Sequence, residues 1–287
     1  MKNISLAHSP DADDIFMYYA IKFGWVDTKD YAISNEALDI ETLNVEAFKG
    51  SYDMSAISFG AYPYIKNDYA LLRTAVSFGN GYGPKLIKPK GKKLKRNFKV
   101  ALSGKYTTNA LLFKLYYPHA RMSYRNFLEI EQAVLSGEVD AGVLIHESIL
   151  DFDKSLEVEK EIWDIWVELA GENLPLPLGG MVIRRSLPLN RALELEDILI
   201  EGVKVANEKK EELCQRLQEE KLVRIGDSML EKYLDMYASD ESIELSRLQL
   251  KALDRLYAIG FEQGFFDTPL KTDDYLLPRE YGVDRNL

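Results

Sequence analysis

The chain has 287 residues, 46% of them hydrophobic and 29% charged, enough to bury a substantial core beneath an ordinary polar surface. That balance excludes disorder over most of the length. Lysine plus arginine number 36 and aspartate plus glutamate 46, a net charge of 36 − 46 = −10, which makes phosphate backbones and anionic lipid surfaces poor partners.

The opening Met1-Lys2-Asn3-Ile4-Ser5-Leu6-Ala7-His8 turns acidic at Asp11 before a signal-length apolar stretch has formed. No stretch approaches the roughly 20 apolar residues of a membrane span, so a cytoplasmic protein is expected. A single cysteine, Cys214, excludes an internal disulfide. Ile4–His8 reads as a strand closed by Ser9-Pro10. Asp11 or Asp13 can then cap a helix running to about Phe23, with Ile15, Phe16, Tyr19 and Ala20 at helical spacing.

Residues 43–58 (LNVEAFKGSYDMSAIS) and 129–146 (EIEQAVLSGEVDAGVLIH) echo each other. In both, an amphipathic helix ends on a glycine, Gly50 or Gly137, suited to a left-handed cap. Asp53 or Asp140 follows, then a small, apolar strand that delivers Ser58 or His146 at its end. Two related α/β lobes, each offering a strand end to a shared cleft, account for the echo, because ligands in open α/β sheets sit at carboxyl ends of strands.

Gly79, Gly81 and Gly83 are followed by Pro84 rather than a helix, so they mark a tight crossing and not a nucleotide fingerprint. Lys85–Lys99, rich in lysine but without interleaved aromatics, reads as a solvated loop at the lobe junction and not as a nucleic-acid patch. Phe98–Leu102 is a second strand leading through Ser103-Gly104 into a helix over Asn109–Tyr116. Leu174–Gly180 followed by Met181-Val182-Ile183 is a rigid entry into a returning strand. From Glu194 to Gly264 the chain is helical, with Leu248, Leu250, Leu253, Leu256 and Phe261 expected to face the core.

Asp11-Ala12-Asp13-Asp14 invites a metal, but an EF-hand would need glycine and glutamate where Phe16 and Lys22 stand. His146-Glu147 begins like a zinc-protease helix, yet its second histidine would fall at Leu150. With three histidines and one cysteine, a zinc site has too few ligands in plausible spacing, and no metal dependence is expected. Thr107-Thr108 stand where a helix begins, a position that suits either a carboxylate site or a plain cap. His146, between Val143-Leu144-Ile145 and Glu147-Ser148, is placed either to take a proton or merely to cap. His8 also ends a strand, a position that leaves open whether it lies in the cleft, whereas His119 belongs to a surface loop.

Ser9-Pro10 with Asp14 and Phe16, Ser58-Phe59 with Ala61-Tyr62, Gly83-Pro84, Thr107-Thr108, Gly137-Glu138 with Ala141-Gly142, Ile145-His146-Glu147-Ser148 and Leu174-Pro-Leu-Pro-Leu-Gly179 together resemble the 1,4-dihydroxy-6-naphthoate synthases of the futalosine route to menaquinone. The resemblance implies a two-lobed α/β fold like the type II periplasmic binding proteins, with residues 1–97 and 180–287 in the larger lobe and 98–179 inserted as the smaller. It implies a carbon–carbon lyase that takes cyclic dehypoxanthine futalosine to 1,4-dihydroxy-6-naphthoate and dihydroxyacetone, with no metal or organic cofactor. His146 matches the family's general base. Thr107, Thr108 and Ser58 match substrate-binding positions, with the Thr pair assigned to the substrate carboxylate, and Asp14 is placed with them. The first loop departs from the family's usual Ser-Pro-Cys-Pro-Asn-Asp-Thr-Phe, since Asp11, Asp13 and Ile15 replace cysteine, asparagine and threonine. The partner is thus a small-molecule carboxylate. Chorismate dehydratase of the same pathway and a non-catalytic binding protein are the alternatives.

Overall fold

A computed structural model describes residues 2–237 and 240–279. The chain begins β1 (Lys2–His8), α1 (Ala12–Lys22), β2 (Tyr31–Ala37), α2 (Ile40–Lys49) and β3 (Met54–Ser58). Short elements follow: α3 (Tyr62–Ile65), β4 (Tyr69–Leu71) and β5 (Ser77–Gly79). Next come β6 (Lys85–Pro89), β7 (Lys99–Leu102), α4 (Thr108–Tyr116), β8 (Arg121–Tyr124), α5 (Ile130–Leu135), β9 (Ala141–Leu144) and β10 (Leu156–Glu161). The last stretch carries α6 (Ile162–Ala170), β11 (Leu176–Arg184), α7 (Leu189–Glu208), α8 (Lys210–Glu219), α9 (Asp227–Tyr237) and α10 (Arg247–Glu262).

Two sheets result. One has the order β2-β1-β3-β11-β4 with β5 also on β11, and the other β10-β6-β9-β7-β8. Within each, three strands are parallel and joined by helices: β1-α1-β2-α2-β3 in the first and β7-α4-β8-α5-β9 in the second, with the first strand central both times. The echo seen in the sequence is this repeated unit. Gly50 and Gly137 hold left-handed φ values of 68° and 75°, where a side chain would be strained. The aspartate that follows each glycine pins the neighbouring strand: Asp53 accepts from the Ser5 N–H at 2.9 Å, and Asp140 from the Lys99 N–H at 2.8 Å.

Lys85–Pro89 is a strand of the second sheet, not the solvated loop expected. Leu86 and Ile87 are fully buried, and the lysines meet glutamates across β10, Lys88 lying 2.7 Å from Glu159 and Lys85 3.9 Å from Glu161. Adjacent Leu86 and Ile87 point to opposite faces of the sheet, so the strand is covered on both faces at its middle while its lysines are paired with charges on β10. β5 belongs to the first sheet and β6 to the second, and later β10 to the second and β11 to the first, so the chain passes between the sheets twice, at 80–84 and at 162–175. Gly79 is required by contact, since a Cβ there would stand 2.2 Å from the Tyr82 carbonyl oxygen, and Gly81 by its left-handed φ of 80°.

Helices α7, α9 and α10 pack on the first sheet and its helix α1. In α10 the buried stripe runs through Gln249, Ala252, Leu253, Leu256 and Tyr257. Leu248 and Phe261, expected in the core, are exposed instead, because each lies about 100° around the helix from that stripe. Leu250 is half-buried at its edge. Among the described residues no helix is long and apolar enough to cross a membrane.

Candidate active site

A cleft of about 690 Å³, counting its mouth, lies between the two sheets and takes walls from both. The β1–α1 turn, the ends of β3 and β11, the N-terminus of α4, the residues after β9 and one face of α9 all contribute. His146, Thr107, Thr108, Ser58 and Asp14 therefore share one cleft. Its apolar lining includes Ile40, Ile57, Ile145 and Leu178. An apolar lining with a few convergent polar groups is that of a small-molecule site.

His146 sits just beyond β9 with a φ of 54°, a left-handed conformation costing a non-glycine residue roughly 1–3 kcal/mol. Its surroundings hold it there. The next residue, Glu147, is buried, accepts the Ala12 N–H at 2.9 Å and takes the Arg224 guanidinium at 3.0 Å. Phe127 packs edge-on to the His146 ring at 4.8 Å, and Arg224 lies over Phe127. His146 Nδ1 meets the carboxylate of Asp11. Its Nε2 has no hydrogen-bond partner among the described residues and is shielded from bulk water.

Four carboxyl groups, of Asp11, Asp13, Asp14 and Glu147, converge here against one guanidinium. Burial pushes the Asp13 carboxyl well up, aided by its acidic neighbours. Asp14 is raised to about 8, first by burial and then by Asp11. Burial also disfavours the charged forms of Asp11 and His146, but their mutual attraction outweighs it, lowering the acid and raising the imidazole. Carboxyl groups driven apart in this way mark acid–base sites.

The remaining predicted residues are distributed unevenly. Ser58 is buried and braced by Asn44, which donates to its Oγ at 3.2 Å and accepts its N–H at 2.9 Å, leaving the Ser58 proton able to reach a ligand. Thr107 caps α4, accepting the Ala110 N–H at 3.1 Å and donating to the Gly104 carbonyl at 3.2 Å. The Thr108 hydroxyl accepts the Gly60 N–H at 3.0 Å and donates to the Leu178 carbonyl at 2.9 Å. Both hydroxyls are engaged by the protein, so the α4 terminus offers a ligand its backbone N–H groups and dipole. Ser103 Oγ and Asn109 Oδ1 line the same wall without partners among the described residues. The Asp14 carboxyl accepts the Ser9 N–H at 2.7 Å.

His8 does not line the cleft. Its ring bonds the Ser9 carbonyl and Asn35, packs on Tyr18 and Tyr19, and faces a separate small cavity. His119 is exposed beside Arg96. Sequence reading missed Asn44 and two cleft-lining tyrosines of α9, Tyr233 and Tyr237. The tyrosines' spacing on one helix face was the only available signal. The sequence holds no metal motif, yet ligating atoms of Asp11, Asp13 and His146 lie within 4.8 Å of one another. Within this cluster His146 Nδ1 meets Asp11, and Asp13 Oδ1 accepts the Tyr233 hydroxyl at 3.0 Å.

The menaquinone-biosynthesis family profile matches residues 4–262. The chain belongs to that family. Among its curated family relatives, a 1,4-dihydroxy-6-naphthoate synthase of Thermus thermophilus is 28% identical, covering 92% of this chain and 96% of the relative. The enzyme of the same name from Streptomyces coelicolor is 30% identical over 71% of this chain and 73% of its own. A crystal structure of an Archaeoglobus fulgidus protein superposes with a TM-score of 0.85 at 35% identity, covering 92% of this family member and 98% of that chain. The alkanesulfonate-binding protein SsuA of Xanthomonas axonopodis pv. citri superposes at 0.70 with 12% identity, covering 96% and 98%. This last likeness shows the fold, that of the periplasmic binding proteins, which the sequence resemblance implied.

Proposed function

We propose that this family member is a 1,4-dihydroxy-6-naphthoate synthase: a carbon–carbon lyase that takes cyclic dehypoxanthine futalosine to 1,4-dihydroxy-6-naphthoate and dihydroxyacetone, with His146 as general base. One observation carries the catalytic half of the reading. A histidine held in a strained backbone conformation lines the cleft with one ring nitrogen bonded and the other, Nε2, unpartnered. A bare imidazole nitrogen at a water-shielded position is a base suited to neutral pH. Nε2 takes a proton from the substrate, the electrons released drive carbon–carbon cleavage, and the proton returns to the departing three-carbon piece. The cleavage is redox-neutral and regenerates neutral His146.

The α4 N-terminus suits the substrate carboxylate, with Ser103 able to donate beside it and Asn109 Oδ1 able to accept from a hydroxyl. Ser58 reaches the opposite wall. The test is turnover of cyclic dehypoxanthine futalosine by the purified protein, with dihydroxynaphthoate followed by mass spectrometry. His146→Ala is expected to bind substrate while losing roughly 10²–10⁴-fold in kcat. Absence of product from the wild-type protein would refute the function, and wild-type rates in His146→Ala would refute the base.

A further inference from the structure

We propose that Asp11 is the positioning residue of His146: it fixes the ring with its proton on Nδ1 and Nε2 bare toward substrate, and it carries the counter-charge when Nε2 is protonated. The proposal rests on His146 being the general base.

The geometry singles out Asp11 among the acids. Asp13 is engaged by the Tyr233 hydroxyl, Asp14 by the Ser9 N–H, and Glu147 by Ala12 and Arg224. Only the Asp11 carboxylate meets the His146 ring. Asp11 is 2% exposed, so water does not compete for the contact. An ionised carboxylate can only accept a hydrogen bond, and Nδ1 must therefore be the protonated nitrogen. When substrate gives its proton to Nε2, the imidazolium stands against a fixed carboxylate and no second proton moves. When Nε2 releases the proton, the pair returns to its starting charges. The contact also explains how a left-handed histidine persists, since the ring is tied to the first turn of α1 while Glu147 ties the adjacent backbone to the same turn.

Asp11→Asn separates this role from the residue's other one, the cap of α1. Asparagine caps as well as aspartate; with its oxygen accepting the Asp14 N–H, as Asp11 Oδ1 does, its NH2 group stands where Asp11 Oδ2 meets the ring, a donor where the ring needs an acceptor. Nδ1 must then accept, which drives the proton onto Nε2. The expected loss is about 10³–10⁴-fold in kcat, with KM little changed. The acid limb of the kcat/KM profile should move to lower pH. The other groups facing the ring are Asp13, Asp14, Glu147, Arg224, Tyr233 and Tyr237; losing the Asp11 charge also eases ionisation of Asp13 and Asp14, which offsets part of the shift but not the loss of the carboxylate in contact with the ring. A loss carried by KM with an unmoved limb would mean a structural role and overturn the proposal. Nitrogen-15 NMR of histidine-labelled wild-type protein, with His146 assigned through His146→Ala, gives a reading that needs no folded Asp11 variant. Above the acid limb it should show a protonated Nδ1 and a bare Nε2, and the opposite tautomer would overturn the proposal. Wild-type turnover in His146→Ala would instead defeat the base assignment, while an inactive His146→Ala beside a fully active Asp11→Asn would defeat only this proposal.

Discussion

Thr108→Val tests whether the second threonine of the pair serves the substrate or the fold. Valine matches threonine in shape and removes only the hydroxyl. That hydroxyl accepts the buried Gly60 N–H at 3.0 Å and donates to the Leu178 carbonyl at 2.9 Å. Both partners belong to the first sheet's side of the cleft, whereas Thr108 opens a helix of the second, so one side chain ties the walls together. Each stranded partner costs about 1–3 kcal/mol, and two together predict a destabilisation of about 2–6 kcal/mol. The surroundings cannot relax easily, because a Cβ on Gly60 would already stand 2.9 Å from the Thr108 Cα. Urea unfolding should show a lower midpoint with an unchanged slope, and Thr108→Ser should restore most of the loss. A Thr108→Val protein within about 0.5 kcal/mol of wild type but with a much raised KM would refute the reasoning and return the hydroxyl to the substrate.

Asp14 holds its proton up to about pH 8 in the folded protein, while the unfolded chain releases it near pH 4. Folding therefore retains a proton across that window and stability falls as pH rises through it. Asp14→Asn, which still accepts the Ser9 N–H, should gain stability relative to wild type at pH 8 more than at pH 5, and equal differences in urea midpoint at the two pH values would contradict this. Exhaustive EDTA treatment should leave turnover unchanged, because Asp11 is engaged by His146 Nδ1 and Asp13 by the Tyr233 hydroxyl, while Nε2 is assigned to the substrate proton. Activity lost to the chelator and restored by a divalent cation would make the Asp11, Asp13 and His146 cluster a metal site.

The parts of this fold legible in the sequence are those whose causes lie within a turn or two of the chain. Gly50 and Gly137 each end a helix, and the aspartate that follows pins the strand beside it, so the repeated unit announced itself twice. Thr107 was legible as a cap for the same reason, its acceptor role reaching only to Ala110. The Lys85–Pro89 strand was not, because the glutamates that pair its lysines lie far along the chain in β10. A run of charge reads as solvated until its counter-charges are known. The site shows the same division more sharply. His146 was found from its place after a strand, but nothing local indicates its left-handed φ, since the sequence places neither glycine nor asparagine there. The strain is sustained by Asp11 and Ala12 on one side and Arg224 on the other, contacts that exist only once the chain has crossed between sheets and returned. Asp11 looked like a cap because capping is the one role visible from its neighbours. Its contact with a residue far away in sequence requires both sheets to be in place. The chemistry of the cleft is thus a property of closure across two repeated units, and the departure from the family pattern at the first loop acquires meaning only when the second unit's histidine is set against it.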